Sequence, residues 1–215
     1  MRASWTYSRL DIPFNERWSE VRHRLLEVFV DHAKTLNVGD PFDSGTDIGP
    51  MASANQRDKV AAQVDAAVAA GAELVTGGDR AGHDKGHYYS PVVVTGAPEQ
   101  TDLLREETFG PVAPIVPVDS LDEAIALANG TRFGLGANVY TRDLATTVRC
   151  MREIKAGTVW VNDPLTDNDA GPFGGFKQSG LGRELGQEGL EAFQETKHVH
   201  IETRIELKEW WYPYR

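Results

Sequence analysis

Between residues 112 and 162 short β-branched runs alternate with helical segments. The strand VAPIVPV (112–118) precedes a helix over 120–129, the strand GANVYT (136–141) a helix over 143–156, and the strand TVWVN (158–162) follows. Strands that alternate with helices through short links pair in parallel, because a crossover helix returns the chain to the end of the sheet it left. Right-handed crossovers then cover both faces. The pattern predicts a parallel, twisted sheet of the α/β class.

The preceding residues add to this unit. After Asn15, read as an N-cap, the apolar positions Trp18, Val21, Leu25, Val28 and His32/Leu36 step by three and four. That spacing predicts one face of a helix ending near Asn37–Gly39. A turn-rich loop, GDPFDSGTDIGPM, follows. Ser53 and Gln56 are spaced as a capping box for a second helix that runs through VAAQVDAAVAAG and stops at Gly71. Glu73–Thr76 reads as a strand, residues 79–87 as a surface loop, and YYSPVVV as a strand interrupted by Pro91. A helical turn near Thr101–Leu104 leads into the loop REETFGP, and Ser120 with Glu123 makes a second capping box. Residues 1–13 carry no clear periodicity and are read as an irregular arm.

The last stretch changes character. A glycine-rich loop, GPFGGFKQSGLGRELG, precedes a helix over 186–196. In HVHIETRIEL, Val199, Ile201, Thr203, Ile205 and Leu207 alternate with His200, Glu202, Arg204 and Glu206, a half-buried strand with one wet face. Four of the seven residues of EWWYPYR are aromatic, which predicts that the terminus packs on its own domain or on a partner.

Charge and composition exclude several function classes. A formal net charge of −10 disfavours an electrostatic nucleic-acid footprint. No run approaches the roughly 20 apolar residues of a membrane span, and the N-terminus lacks the apolar core of a signal peptide. One cysteine, Cys150, permits no internal disulfide and fits a reducing cytoplasm.

The candidate chemistry lies in the loops. GPFGGFKQSGLGR could bring backbone N–H groups to a phosphate, but it matches neither the P-loop nor the dinucleotide fingerprint, so a structural glycine loop is favoured. Glu106 and Glu107 stand at a strand entrance before Thr108-Phe109-Gly110-Pro111, where a carboxylate can accept two ribose hydroxyls and an aromatic can pack on a flat ring. The alternative there is a solvated pair of acids. Asp163, Asp167 and Asp169 form an acidic loop without the spacing of a calcium site. His198 and His200 lack a third convergent ligand and read as a surface pair. Cys150, on an amphipathic helix with Leu144, Val148, Met151 and Ile154, reads as a core or boundary residue, since an activated thiolate wants a helix N-terminus or a cationic neighbour.

In order, the blocks VGDPFD, IGPM, AGAELVTGG, YYSPVVV, EETFGPV, DEAIALAN, FGLGANVYT, AGTVWVN, PFGGFKQSGLGRELG and GLEAFQETKHV resemble the C-terminal part of an aldehyde dehydrogenase over about residues 15–207. The resemblance implies a three-layer, Rossmann-like catalytic-domain portion over 14–196 and an oligomerisation strand with an aromatic tail over 197–215. It implies oxidation of a small-molecule aldehyde to a carboxylic acid with NAD or NADP, through a cysteine thiolate and a glutamate-activated water. Glu107 matches the carboxylate on the nicotinamide ribose and Phe109 the aromatic beside it. Leu165, Asp167 and Phe173 fall in the segment lining the aldehyde tunnel. The strand from 198 implies a homo-oligomer, or pairing with a separate N-terminal half, through residues 198–215. The resemblance implies a cytoplasmic enzyme; the family's Gly-Gln-x-Cys nucleophile segment and its glutamate segment are absent, so the chain is expected to be a fragment and inactive by itself. By charge complementarity the aspartates of DPLTDND would favour a cationic aldehyde.

Overall fold

The computed structural model describes residues 17–163, 168–204 and 206–211. The arm over 1–13, the Asn15 cap, Leu165, Asp167, Ile205 and the last four residues lie outside these. The first helix, α1 (Arg17–Thr35), leads to the loop over 36–53 and to α2 (Ala54–Ala69). Then come β1 (Glu73–Thr76), β2 (Val92–Thr95), α3 (Asp102–Arg105) and β3 (Val112–Ile115). The second half holds α4 (Leu121–Asn129), β4 (Phe133–Gly134), β5 (Gly136–Val139), α5 (Leu144–Glu153), β6 (Thr158–Val161), β7 (Phe176–Lys177) and α6 (Gly186–Glu191).

The expected α/β class is present, with mixed sheets. Parallel pairing holds for β2 with β3 and for β5 with β6, the two pairs joined by helical crossovers. The single continuous parallel sheet does not form among the described residues; there are three separate sheets, ordered β1-β2-β3, β4-β7 and β5-β6. β1 runs antiparallel to β2. The cause is the connection: residues 77–91 contain no helix to carry the chain back, so the next strand returns in the opposite sense.

The caps were legible, with one difference each. Ser53 Oγ accepts the Gln56 N–H at 3.1 Å, and Ser120 Oγ accepts that of Glu123 at 3.0 Å. Glu123 returns its carboxylate to the Asp119 N–H at 2.8 Å, one residue before the box position. Gln56 does not close its box and reaches across to another loop. Among the described side chains of α1 Val30 is buried and Leu25, Leu26, Phe29 and Ala33 are half-buried, while the expected Val28 is 56% exposed; those of Trp18 and Val21 lie outside the described ones. The run LLEVFV offers two overlapping stripes, and packing on the β1–β2 pair chooses the second.

One core gathers Val60, Val64 and Ala67 of α2 with Val92 and Val94 of β2, Tyr89, Ala97 and Leu103. The other is Ile125 of α4, Val139 of β5 and Cys150 of α5. Among the described residues of 199–207 no ladder forms within this single chain, and Val199, Ile201 and Leu207 are exposed. Alternation specifies a wet and a dry face only once a partner strand exists to define them. Among the described residues no helix is long and apolar enough to cross a membrane.

Candidate functional site

The loop over 106–111 enters β3, and other elements brace it at several points. Gln56 Nε2 donates to the carbonyls of Thr108 and Phe109 at 2.9 and 3.1 Å, and Lys59 Nζ to that of Glu107 at 2.8 Å. Arg132 forms an ion pair with Glu106. Gly110 sits against α2 so closely that a Cβ would stand 2.8 Å from Val60 Cγ2. Phe109 holds a left-handed backbone, φ 49°, and keeps its ring 59% exposed. A non-glycine residue in that conformation is strained, and such strain concentrates at functional sites.

Two neighbours in sequence diverge in space. Glu107 is half-buried and lines a cavity of about 250 Å³ with Leu121, Ile125, the β5 backbone and Cys150. Phe109 borders a separate apolar groove between Phe29 and Ala33 of α1, Leu36 just beyond it, and the β2–β3 edge. The pair stays adjacent on the loop without sharing one pocket.

The glycine loop answers to packing. A Cβ on Gly157 would lie 1.6 Å from the Gly174 carbonyl oxygen, and one on Gly174 would lie 2.7 Å from that of Gly182. The loop's cations turn inward onto backbone: Lys177 Nζ donates to the carbonyls of Asn129 and Thr131 at 3.0 and 2.9 Å, at the C-terminal end of α4. Burial and nearby Lys155 hold the Lys177 ammonium below its ordinary pKa. Arg183 donates to the Gly175 carbonyl at 3.2 Å and lies over the Phe176 ring at 5.5 Å. This loop is a clasp, as the structural reading had it. Within it, half-buried Phe173 exchanges two backbone hydrogen bonds of 2.7 Å with Glu184.

The acidic loop leaves β6 through Asn162, whose φ is 59°. Asn162 Oδ1 accepts the Thr141 N–H at 2.9 Å while its Nδ2 donates to the Thr141 carbonyl at 2.8 Å. Sequence reading missed this double bond and the braces from Gln56 and Lys59. A sign lay in Gln56, a box residue with two possible partners. Asp163 and Asp169 are exposed. No group of three metal-ligating side chains occurs among the described residues, and His198 and His200 are exposed.

Cys150 is 2% exposed, inside the α4–α5–β5 core. Burial pushes its thiol pKa up, and neighbouring Arg149 offsets only part of this. The Arg149 guanidinium is held outward by ion pairs to Asp122 and Glu153. These surroundings are those of an inert structural thiol.

Comparison with known proteins gives one consistent result. The family model described as "Aldehyde dehydrogenase family" matches residues 18–199. A betaine aldehyde dehydrogenase of Brucella anthropi is 40% identical over 185 residues, 85% of this chain and 38% of that protein. A succinate-semialdehyde dehydrogenase [NADP(+)] of Mycobacterium avium is 44% identical over 183 residues, 85% of this chain and 39% of that protein. Among solved structures, betaine aldehyde dehydrogenase from Staphylococcus aureus in complex with NAD+ superposes with a TM-score of 0.80 at 35% identity, covering 89% of this chain and 39% of that one. The chain spans about two fifths of the length of the relatives it matches.

Proposed function

The chain belongs to the aldehyde dehydrogenase family, and from that premise we propose that it supplies the cofactor-ribose and aldehyde-tunnel portions of an NAD(P)-dependent oxidation of an aldehyde to a carboxylic acid. The observation that carries this reading is the 106–111 loop, with a half-buried carboxylate at Glu107 and, two residues on, an aromatic ring held open to solvent by a strained backbone. Taken singly, each fits one part of NAD(P), a carboxylate accepting the two ribose hydroxyls and an exposed ring face packing on the flat nicotinamide, although the two line separate pockets in this structure. NAD(P), when bound, takes up the hydride.

In this reading Glu107 orients the ribose, Phe109 positions the ring beside it, and Leu165, Asp167 and Phe173 line the path of the aldehyde. The acidic loop favours a cationic aldehyde by charge complementarity, and a reconstituted enzyme that prefers neutral aliphatic aldehydes would remove that part of the reading. In this reading the chain acts in the cytoplasm, where a lone free cysteine is at home; it is inactive alone, because buried Cys150 does not supply the thiolate. Robust aldehyde-dependent NADH formation by the purified 215-residue chain would overturn the assignment of inactivity. In a reconstituted enzyme Glu107→Gln raises KM for the dinucleotide with a smaller effect on the aldehyde KM; an unchanged dinucleotide KM removes Glu107 from the site.

A second reading is favoured by the tail, where Val199, Ile201, Leu207 and Trp210 are 67% to 86% exposed. Such a segment suits pairing with a separate N-terminal half or a full-length homologue through residues 198–215. Light scattering of the chain with and without such partners tests it. A monomer that ignores them counts against it.

A further inference from the structure

We propose that Asn162 is a positioning residue for the aldehyde site, fixing the direction in which the loop that carries Phe173 leaves the sheet. The proposal rests on the reading above, in which Phe173 lines the path of the aldehyde, and gives a role to a residue outside that lining.

β5 and β6 are parallel, so their C-terminal ends lie side by side. Ligands of open α/β sheets sit in the crevice outside such ends. Asn162 joins the two. Its N–H closes the last rung of the pair on Val139 O at 2.8 Å. Its side chain then takes both backbone groups of Thr141, accepting the N–H at 2.9 Å and donating to the carbonyl at 2.8 Å. Thr141 is 4% exposed, so without this fork each of those groups would be buried and unpaired. The Thr141 hydroxyl in turn accepts the Asp143 N–H at 3.1 Å, which ties the bracket to the cap of α5.

Three demands meet at this position. The backbone must be left-handed, at φ 59°, and the side chain must offer an acceptor and a donor on one rigid plane. Asparagine meets all three, because its short amide tolerates the left-handed region better than most side chains. Glycine supplies the backbone without the fork, and an ionised aspartate supplies the acceptor without the donor. Asn162 is itself exposed, so the side chain fills no core volume. What it does is hold a turn, and a left-handed residue directly after a strand swings the chain out of the strand's line. Strain of this kind persists where the surroundings over-determine it, and it gathers at functional sites.

The other end of the loop is set by different means. Phe173 and Glu184 exchange two backbone bonds of 2.7 Å, and Asn168 Oδ1 accepts the N–H groups of Ala170 and Gly171, both at 3.0 Å. The returning end is thus held by backbone and a local turn. The departing end is held by a side chain, and is the end that a substitution can move.

The test uses the full 215-residue chain, alone and mixed with the separately expressed N-terminal part of the Brucella anthropi relative, with NAD+ and two neutral aldehydes, propanal and benzaldehyde. In the chain alone, Asn162→Ala is expected to speed amide exchange at Thr141 by about tenfold or more while the amides of β2 keep their protection. In the complex it raises the aldehyde KM by about tenfold, more for benzaldehyde than for propanal, and leaves the NAD+ KM within about twofold. Asn162→Gly fits the left-handed backbone and carries the same test if the alanine variant fails to fold. Asn162→Asp is defective at neutral pH and recovers relative to wild type as the pH falls, since a protonated carboxyl again offers a donor beside an acceptor.

Phe173→Ala separates the proposal from the reading beneath it. If Phe173→Ala raises the aldehyde KM and the Asn162 variants do not, the positioning role falls and the aldehyde-path reading stands. If neither raises it, or the wild-type complex shows no turnover, both fall. Asn162 variants that raise the aldehyde and NAD+ KM alike, with no recovery of Asn162→Asp in acid, mark the residue as structural and overturn the assignment.

Discussion

Around α2 and β2 the side chains of Val60, Val64, Val92, Val93 and Val94 are 0–1% exposed, whereas the core of α4, α5 and β5 reaches that degree of closure at no position. The outer face of α5 shows the same contrast: Leu144 and Met151 are 75% and 58% exposed and Val148 is 37% exposed, one stripe at helical spacing turned to solvent. The first region is sealed by its own sequence, with α2 on β2 and α3 closing one end. The second leaves a cavity on its inner side and an apolar stripe on its outer side. Unequal closure of this kind is consistent with the pairing proposed above, in which the second half meets additional surface.

The largest expected effect lies in the sealed region. Val94→Asp places a carboxylate at a position with no exposure and no cation within the cluster, so it costs about 3–5 kcal/mol and unfolds most of the chain at room temperature. Val159→Asp, on half-buried β6, is expected to cost less than half of that. Equal losses in urea denaturation would erase the contrast between the regions.

That contrast was only partly legible in the sequence. The caps at Ser53 and Ser120 and the strand–helix alternation are local, set by a few residues each, and the structure keeps them. The glycine loop also kept its structural reading, because Gly157 and Gly174 meet backbone that no side chain would clear. What depended on partners was lost. The alternation in HVHIETRIEL defines a dry face only beside another strand, and the split between β3 and β5 depends on what lies between them. Divergence of Glu107 and Phe109 into two cavities follows from the left-handed turn at Phe109, a conformation that sequence reading assigns to glycine before phenylalanine.

Cys150 sharpens the comparison from the open side. If its pocket behaves as a closed core despite the cavity beside it, Cys150→Ser places an unpartnered hydroxyl there and costs about 1–3 kcal/mol, and Cys150→Ala costs less. Iodoacetamide should label the native thiol slowly and the urea-unfolded thiol at the ordinary rate, since burial both shields it and raises its pKa. Rapid native labelling would show that the α4–α5 core opens freely.

A smaller effect belongs to Asp143, which caps α5 by accepting the Thr146 N–H at 2.6 Å. Hydrogen bonds from Thr146 hold its carboxyl below the ordinary value of 3.8. A depressed folded value means that its contribution is fully present above the unfolded value and lost as the pH falls through the folded one. The melting temperature of the wild type should therefore drop by a few degrees more than that of Asp143→Asn between neutral pH and the acid limit. Identical acid profiles for the two proteins would remove the cap from the account of α5.

The smallest effect is the most discriminating for the open region. Leu144 and Met151 face solvent on α5, so replacing both with glutamine should leave the stability of the chain within about 0.5 kcal/mol, because glutamine keeps good helix propensity and nothing buried is lost. The same exchange at two core positions of α2 would be ruinous. If the double variant unfolds at distinctly lower urea, these side chains are packed in solution and the second half closes on itself after all. If it does not, the stripe contributes nothing to the stability of this fold alone.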